Sequence, residues 1–235
     1  MDYGAALSLA HSILKPRFYV EIGCRHGLSL ALARCPSLAI DPDFEITSEL
    51  AFPTRLFRQT SDDFFGRPDV SDVLGRAPDL AFIDGMHRVE FALRDFINLE
   101  KHSSSRSVIL IDDVLPRDMS WTTRQREGIF WTGDVYRLIP ILREYRPDLV
   151  VEVFDIEPKG LGVISKIAPS NGALQGVYPQ IEEKIKADAY SMHSVEEIRR
   201  RLSPLPPEAL GAQLKSIADS FPRSRPFESS SEPSF

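Results

Sequence analysis

The chain has 235 residues, 43% of them apolar, a formal net charge of −6 and a pI near 5.4. Such a length can bury one sizeable core, and the acidity argues against nucleic acid, whose affinity rests on clustered Lys and Arg neutralising phosphates. No apolar run approaches the ~20 residues of a membrane helix, no basic stretch precedes an apolar one at the start, and Cys24 and Cys35 are too few for a disulfide framework. A cytoplasmic protein with no membrane partner and two buried thiols is therefore expected.

Residues 5–15 (AALSLAHSILK) carry apolar side chains at helical spacing, and Pro16 ends the pattern. A β-rich run at 18–22 then leads into EIGCRHGLS (21–29) and a helix-like stretch reaching Arg34. Short strands follow at 38–40, ending in AIDPD (39–43), at 55–60, at 80–83, ending in Asp84, and at 108–111, ending in two aspartates. Between the last two, VEFALRDFINLEKH (89–102) is amphipathic at a period near 3.6. Runs at 149–154 and 161–167, joined by DIEPKG, suggest an antiparallel hairpin completing the sheet.

Strands alternating with helices call for parallel pairing, because parallel neighbours need crossover connections. The expected fold is α/β: a Rossmann-like, doubly wound, seven-stranded, mostly parallel sheet with an antiparallel last strand. Its domain is placed at 1–168. A helical C-terminal extension at 169–220, with helices near 179–188, 194–203 and 206–219, is expected as an appendage. The Ser- and Pro-rich stretch 221–235 should be disordered, having too little apolar surface to offset its ordering entropy.

Ligands of open α/β sheets bind outside the carboxyl ends of the strands, and those ends are polar here. Gly23 and Gly27 would let the backbone approach a ligand and leave helix N-terminal N–H groups free. Their GxxxG spacing differs from the GxGxxG of dinucleotide sites and so disfavours a nicotinamide dehydrogenase. Glu21 could face a ligand's cation, Asp41 could accept hydrogen bonds from ribose hydroxyls, and Ser61 and Asp62 in TSDDF (60–64) would lie near an adenine amino group.

The sharpest constellation is FIDGMH (82–87) with LIDDV (110–114), which brings Asp84, Asp112 and Asp113 to one mouth of the sheet. Three carboxylates that close repel unless a cation or protons intervene, and a hard divalent ion such as Mg²⁺ resolves the conflict. His87, with an ordinary pKa near 6.5, is then a candidate general base for an acceptor hydroxyl. A helix-capping role for the aspartates is the plain alternative.

On EIGCRHGLS, AIDPD, FIDGMH and LIDDV, the sequence over roughly 15–168 resembles the class I S-adenosylmethionine-dependent methyltransferases. Within them it is similar to the metal-dependent O-methyltransferases acting on sugar hydroxyls of macrolides and related glycosides. The resemblance implies that Asp84, Asp112 and Asp113 hold Mg²⁺ and that His87 is the base; the version with an aspartate two residues after Asp84 is closed, since Met86 stands there. It further implies that WTGDVYRLIPIL (131–142) borders the acceptor pocket, where Trp131, Asp134 and Tyr136 could contact a sugar. The implied acceptor is a small molecule or glycan. A catechol or phenol acceptor, and a cofactor-binding protein without methyl transfer, remain as alternatives. The sequence leaves the oligomeric state open, a homo-oligomer included.

Overall fold

The computed structural model describes residues 1–126 and 128–221; all but the first residue of the expected disordered tail lie outside the described residues. In chain order the elements are α1 (Tyr3–Leu14), β1 (Tyr19–Ile22), a 3-10 turn (Leu30–Leu32), β2 (Ser37–Ile40) and β3 (Thr54–Phe57). Then come α2 (Ser61–Phe65), α3 (Val70–Leu74), β4 (Leu80–Ile83), α4 (Val89–His102) and β5 (Val108–Asp112). After 3-10 turns at Met119–Thr122 and Val135–Arg137 follow α5 (Leu138–Tyr145), β6 (Val150–Phe154), β7 (Leu161–Ser165), α6 (Ala173–Lys186), α7 (Val195–Leu202) and α8 (Ala209–Ser220).

The seven strands form one sheet in the order β3-β2-β1-β4-β5-β7-β6. The first five pair in parallel, and β7 runs antiparallel to both β5 and β6. The expected sheet is thus present, with the hairpin β6–β7 completing it. Because β6 is parallel to β5, the β6–β7 connector lies at the same mouth as the carboxyl ends of β1 to β5. β1, β2, β4, β5 and β7 are buried at every residue, as parallel sheets covered on both faces require. Edge strand β3, by contrast, exposes Arg55 and Leu56.

Alternation along the strands divides the core in two. Val20, Ile22, Leu38, Ile40, Ile109 and Ile111 pack with α4, α5, α6 and α7, whereas Tyr19, Ala39, Phe82, Leu110 and Val163 pack with α1 and α8. The C-terminal helices are therefore not an appendage. Leu174, Ile181, Ile185, Ile198 and Leu202 enter the first core and Leu210, Leu214 and Ile217 the second, because each helix has an apolar stripe that the sheet helices had left a place for.

The helix expected after β1 is a single 3-10 turn. Only eight residues separate Gly27 from Pro36, which cannot continue a helix, and the Ser29 hydroxyl is drawn to Glu21 instead of capping the turn. α1 covers this part of the sheet, touching both the 3-10 turn and α8. α1 itself starts where Asp2 Oδ1 accepts the Ala5 N–H at 2.8 Å. α4 starts where Asp134 Oδ1, from a distant loop, accepts the Val89 N–H at 2.8 Å.

Candidate active site

The mouth is built from the tips of β1, β4 and β5. The Asp84 N–H donates to the Ile22 carbonyl at 2.8 Å, and the Gly23 N–H donates to the Ile40 carbonyl at 2.8 Å, so three strand ends are tied at one level. Gly23 is left-handed (φ +87°), and a Cβ there would stand 2.0 Å from the Asp84 carbonyl oxygen. The glycine is needed by the neighbouring strand tip: it allows the loop to pass Asp84, which fixes where that carboxylate emerges.

Asp84, His87 and Asp113 converge, each offering a donor atom within 4.8 Å of the others. His87 Nδ1 lies 2.7 Å from Asp113 Oδ2 and 3.0 Å from the Trp131 carbonyl oxygen, and Nε2 lies 3.4 Å from Asp84 Oδ1. Trp131 stacks on the imidazole, with ring centroids 4.7 Å apart and planes 8° from parallel. Burial disfavours the charged imidazole, but hydrogen bonds to Asp113 and Asp84 outweigh it and carry the His87 pKa up to about 10. Facing both carboxylates, His87 holds its proton more tightly than an ordinary imidazole does.

Asp112 is outside the donor group. Neighbouring strand residues face opposite sides of a sheet, so Asp112, paired with Leu161 at the end of β5, shares the Leu110 side. Asp113 escapes the alternation by taking a left-handed backbone (φ +64°), a conformation costly for a non-glycine residue and typical of functional sites. Burial raises the Asp112 carboxyl well above its ordinary pKa, with Asp113 and Asp84 adding to the shift. Burial raises Asp84 too, opposed by its His87 contact and reinforced by Asp113.

The remaining expected residues divide. Glu21 is turned inward: fully buried on the α1 side, it accepts hydrogen bonds from the hydroxyls of Tyr19 (2.7 Å) and Ser29 (2.6 Å) and faces no open site. Burial lifts its pKa to about 8 despite those donors. Asp41 does end β2 at the mouth, its carboxylate accepting the N–H groups of Arg25 and Asp43 at 2.8 Å each. Gly27 is left-handed (φ +77°) against Ile46, and no α-helix N-terminus follows it. Asp62 is taken up by Arg94 in a two-pronged pair of 2.7 to 3.1 Å, and Ser61 donates to Asp95. Asp134 serves α4 and the arginines Arg124 and Arg137, and Tyr136 is core, its hydroxyl 3.5 Å from the Met192 carbonyl. Both are thus engaged with the protein's own groups; Trp131 borders the mouth, stacked on His87.

Three residues at the site were not anticipated. Lys159, in the β6–β7 connector, places Nζ 2.9 Å from Asp113 Oδ1. A lysine in a loop following a strand parallel to the others is the signal that could have found it. Asp95 interrupts the apolar stripe of α4, and burial raises its pKa to about 7. Tyr3, at the start of α1, has a raised pKa from burial and then from Asp84 and Asp112; nothing in its local sequence marks it.

The donor chemistry suits both groups implied by the resemblance. Each Asp41 oxygen accepts a single backbone N–H and keeps a lone pair for a ribose hydroxyl. Two carboxylates at one mouth supply oxygen ligands for a divalent cation. Among the described residues no helix is long and apolar enough to cross a membrane.

Residues 20–114 match the family model described as a methyltransferase domain. A comparison with curated proteins finds no match. Among solved structures the chain is similar to a Staphylococcus aureus protein provisionally described as a caffeoyl-CoA O-methyltransferase, at 15% identity over 68% of this chain and 81% of that one, with a TM-score of 0.50. It is also similar to the O-methyltransferase TomG of Streptomyces achromogenes, solved with S-adenosylmethionine (17% identity, 69% and 78% covered, TM-score 0.47). A third is an O-methyltransferase of Bacillus cereus (17% identity, 68% and 78% covered, TM-score 0.45). The domain match lies over the strand tips that build the mouth, within a sheet of order 3-2-1-4-5-7-6, so residues 20–114 are similar to a methyltransferase domain.

Proposed function

We propose that the chain transfers a methyl group from S-adenosylmethionine to a hydroxyl oxygen of a small-molecule or glycan acceptor, at the mouth formed by Asp84, His87 and Asp113. The observation that carries this reading is the imidazole held between two carboxylates from adjacent strand tips, beside the Gly23 loop. Such an arrangement orients a proton-handling group against a reacting oxygen.

Bound S-adenosylmethionine supplies an electrophilic methyl group, and a divalent cation such as Mg²⁺ would supply positive charge to lower the pKa of the acceptor hydroxyl. Asp84 and Asp113 are the residues that would hold the ion, and Asp41 the one that would receive the ribose. Once the charge of Asp84 and Asp113 is offset and the ring is neutral, His87 Nε2, the nitrogen farther from Asp113, is the atom that would take the acceptor's proton. Asp113 fixes the opposite edge of the ring and so its orientation. Trp131 covers one face of the imidazole and keeps water from it. A ring held on Trp131 also fits either acceptor class, a sugar by its C–H face or a phenol by stacking; we favour the sugar hydroxyl on the resemblance carried by the strand-tip motifs.

Methyl transfer from labelled S-adenosylmethionine to a panel of glycosides and catechols, by wild type and His87→Asn, tests the reading. Transfer to a glycoside that His87→Asn abolishes supports it. Transfer confined to catechols replaces the acceptor class. Cofactor binding with no transfer to any hydroxyl removes the enzymatic reading.

A further inference from the structure

Asp113 has two basic neighbours. Oδ2 lies 2.7 Å from His87 Nδ1, and Oδ1 lies 2.9 Å from Nζ of the Lys159 ammonium. The Asp113 side chain is 2% exposed and that of Lys159 18%, so the pair is poorly screened by water. Lys159 is also attracted by Asp112 and Asp84, in that order after Asp113. The chain therefore sets a cation of its own, Lys159, against the carboxyl groups of this region.

Nor does Lys159 reach the site by chance of a long side chain on a loose loop. Its carbonyl accepts the Leu115 N–H at 2.7 Å, two residues beyond Asp113. The next residue, Gly160, is left-handed (φ +77°) and so close to Leu115 that a Cβ would stand 2.3 Å from the Leu115 Cβ. On the other side the Tyr3 N–H donates to the Glu157 carbonyl at 3.0 Å, which ties the connector to the start of α1. The backbone that presents Lys159 is fixed on both sides.

We propose that Lys159 is a resident counter-cation of the carboxylate cluster, which occupies an Asp113 oxygen and sets the affinity of the cluster for a divalent ion. This rests on the reading of Asp84 and Asp113 as the ion's ligands. An arriving ion meets a fixed ammonium beside one of its two carboxylates, and like charges in a poorly solvated site repel strongly. Binding is thereby weakened to the point where the ion exchanges readily, and the vacant cluster does not leave the Asp113 charge uncompensated.

Calorimetric titration of Mn²⁺ into the full-length protein tests this, with wild type, Lys159→Met, Lys159→Gln and Lys159→Arg. Lys159→Met and Lys159→Gln are expected to bind Mn²⁺ about tenfold or more tighter than wild type, and Lys159→Arg about as wild type does. In the Lys159→Gln background, Asp84→Asn should abolish the gain. S-adenosylmethionine titrated into each variant verifies that the fold is kept, and the Gln variant serves should the Met variant fail to fold. Unchanged or weaker Mn²⁺ binding in the neutral variants, with wild type binding measurably, overturns the role of Lys159 and leaves the ion reading standing. Absence of Mn²⁺ binding in every form overturns both.

Discussion

His87 Nδ1 and Asp113 Oδ2 lie 2.7 Å apart, joining the loop after β4 to the tip of β5 across the mouth of the sheet. The bond exists because Asp113 leaves the strand in a left-handed turn, and because Asp84, three residues before His87, holds the other ring nitrogen at 3.4 Å. An imidazole so held cannot rotate away from the mouth. It also cannot give up its proton easily while both carboxylates face it.

If this pair performs the proton handling, His87→Asn and Asp113→Asn should each reduce kcat by about 10²–10⁴-fold, the usual contribution of a positioned acid–base group. The calorimetric Kd for S-adenosylmethionine should change little in either. Asp112→Asn is expected to be far milder, because Asp112 lies outside the donor group and burial already favours its neutral form. Equal losses for the two aspartates would return Asp112 to the centre.

Trp131→Ala removes the ring stacked on His87, and with it an indole hydrogen bond to the Thr123 carbonyl. An acceptor lying on that ring would lose about 1 kcal/mol of contact, so KM for the acceptor should rise several-fold while cofactor affinity holds. Trp131→Phe should recover much of the loss. Steady-state kinetics on any acceptor found by the panel measures both.

Gly23→Ala is predicted to be severely destabilising, since the added Cβ falls 2.0 Å from the Asp84 carbonyl at a φ of +87°. Strain of that kind costs about 3 kcal/mol or more, equivalent to a fall in Tm of roughly 6–12 °C at this chain length. Gly172→Ala, where nothing lies within 4 Å, is the control and should shift Tm little. Thermal unfolding followed by circular dichroism checks the contrast.

The buried acids make stability depend on pH in a definite direction. Glu21 has its pKa raised from 4.5 to about 8 and Asp95 from 3.8 to about 7, in both cases by burial. The folded state thus binds their protons more tightly than the unfolded chain does. The resulting stability is complete below pH 4 and is lost as pH rises through 7 to 8. A tenfold change in proton affinity is worth about 1.4 kcal/mol, so Glu21 alone accounts for a few kcal/mol. Glu21→Gln should flatten this slope, gaining on wild type between pH 6 and pH 9 in a Tm-against-pH series. A wild-type Tm that rises over that interval would contradict the assignment.

The sheet was legible because its strands are short apolar runs cut by polar tips, and α4 because its apolar residues recur every three or four positions from Val89 to His102. The mouth was legible for the same reason: Asp84, His87 and Asp113 stand at strand ends, where the parallel topology sends ligands. What local sequence does not contain is the direction of a side chain. Asp112 and Asp113 are adjacent, only one can face the mouth from a regular strand, and the left-handed turn that decides between them has no signature in LIDDV. Glu21 is the same case, its side chain drawn into the α1 layer by two hydroxyls, one of them eight residues away. The stretch 28–34 has helical composition, but Pro36 and the place already taken by α1 leave room for one turn. Lys159 and Tyr3 are far apart in sequence and come together through the β6–β7 connector, which contains Lys159 and accepts the Tyr3 N–H at Glu157.

A crystal structure of the protein with S-adenosylhomocysteine and Mn²⁺, the ion located by its anomalous signal, decides where donor and cation sit. We expect the ribose on Asp41, the sulfur opening toward His87, and the ion between Asp84 and Asp113. A nucleoside bound away from the tips of β1, β4 and β5, or an ion held by other residues, would overturn the assignment of this mouth as the methyl-transfer site.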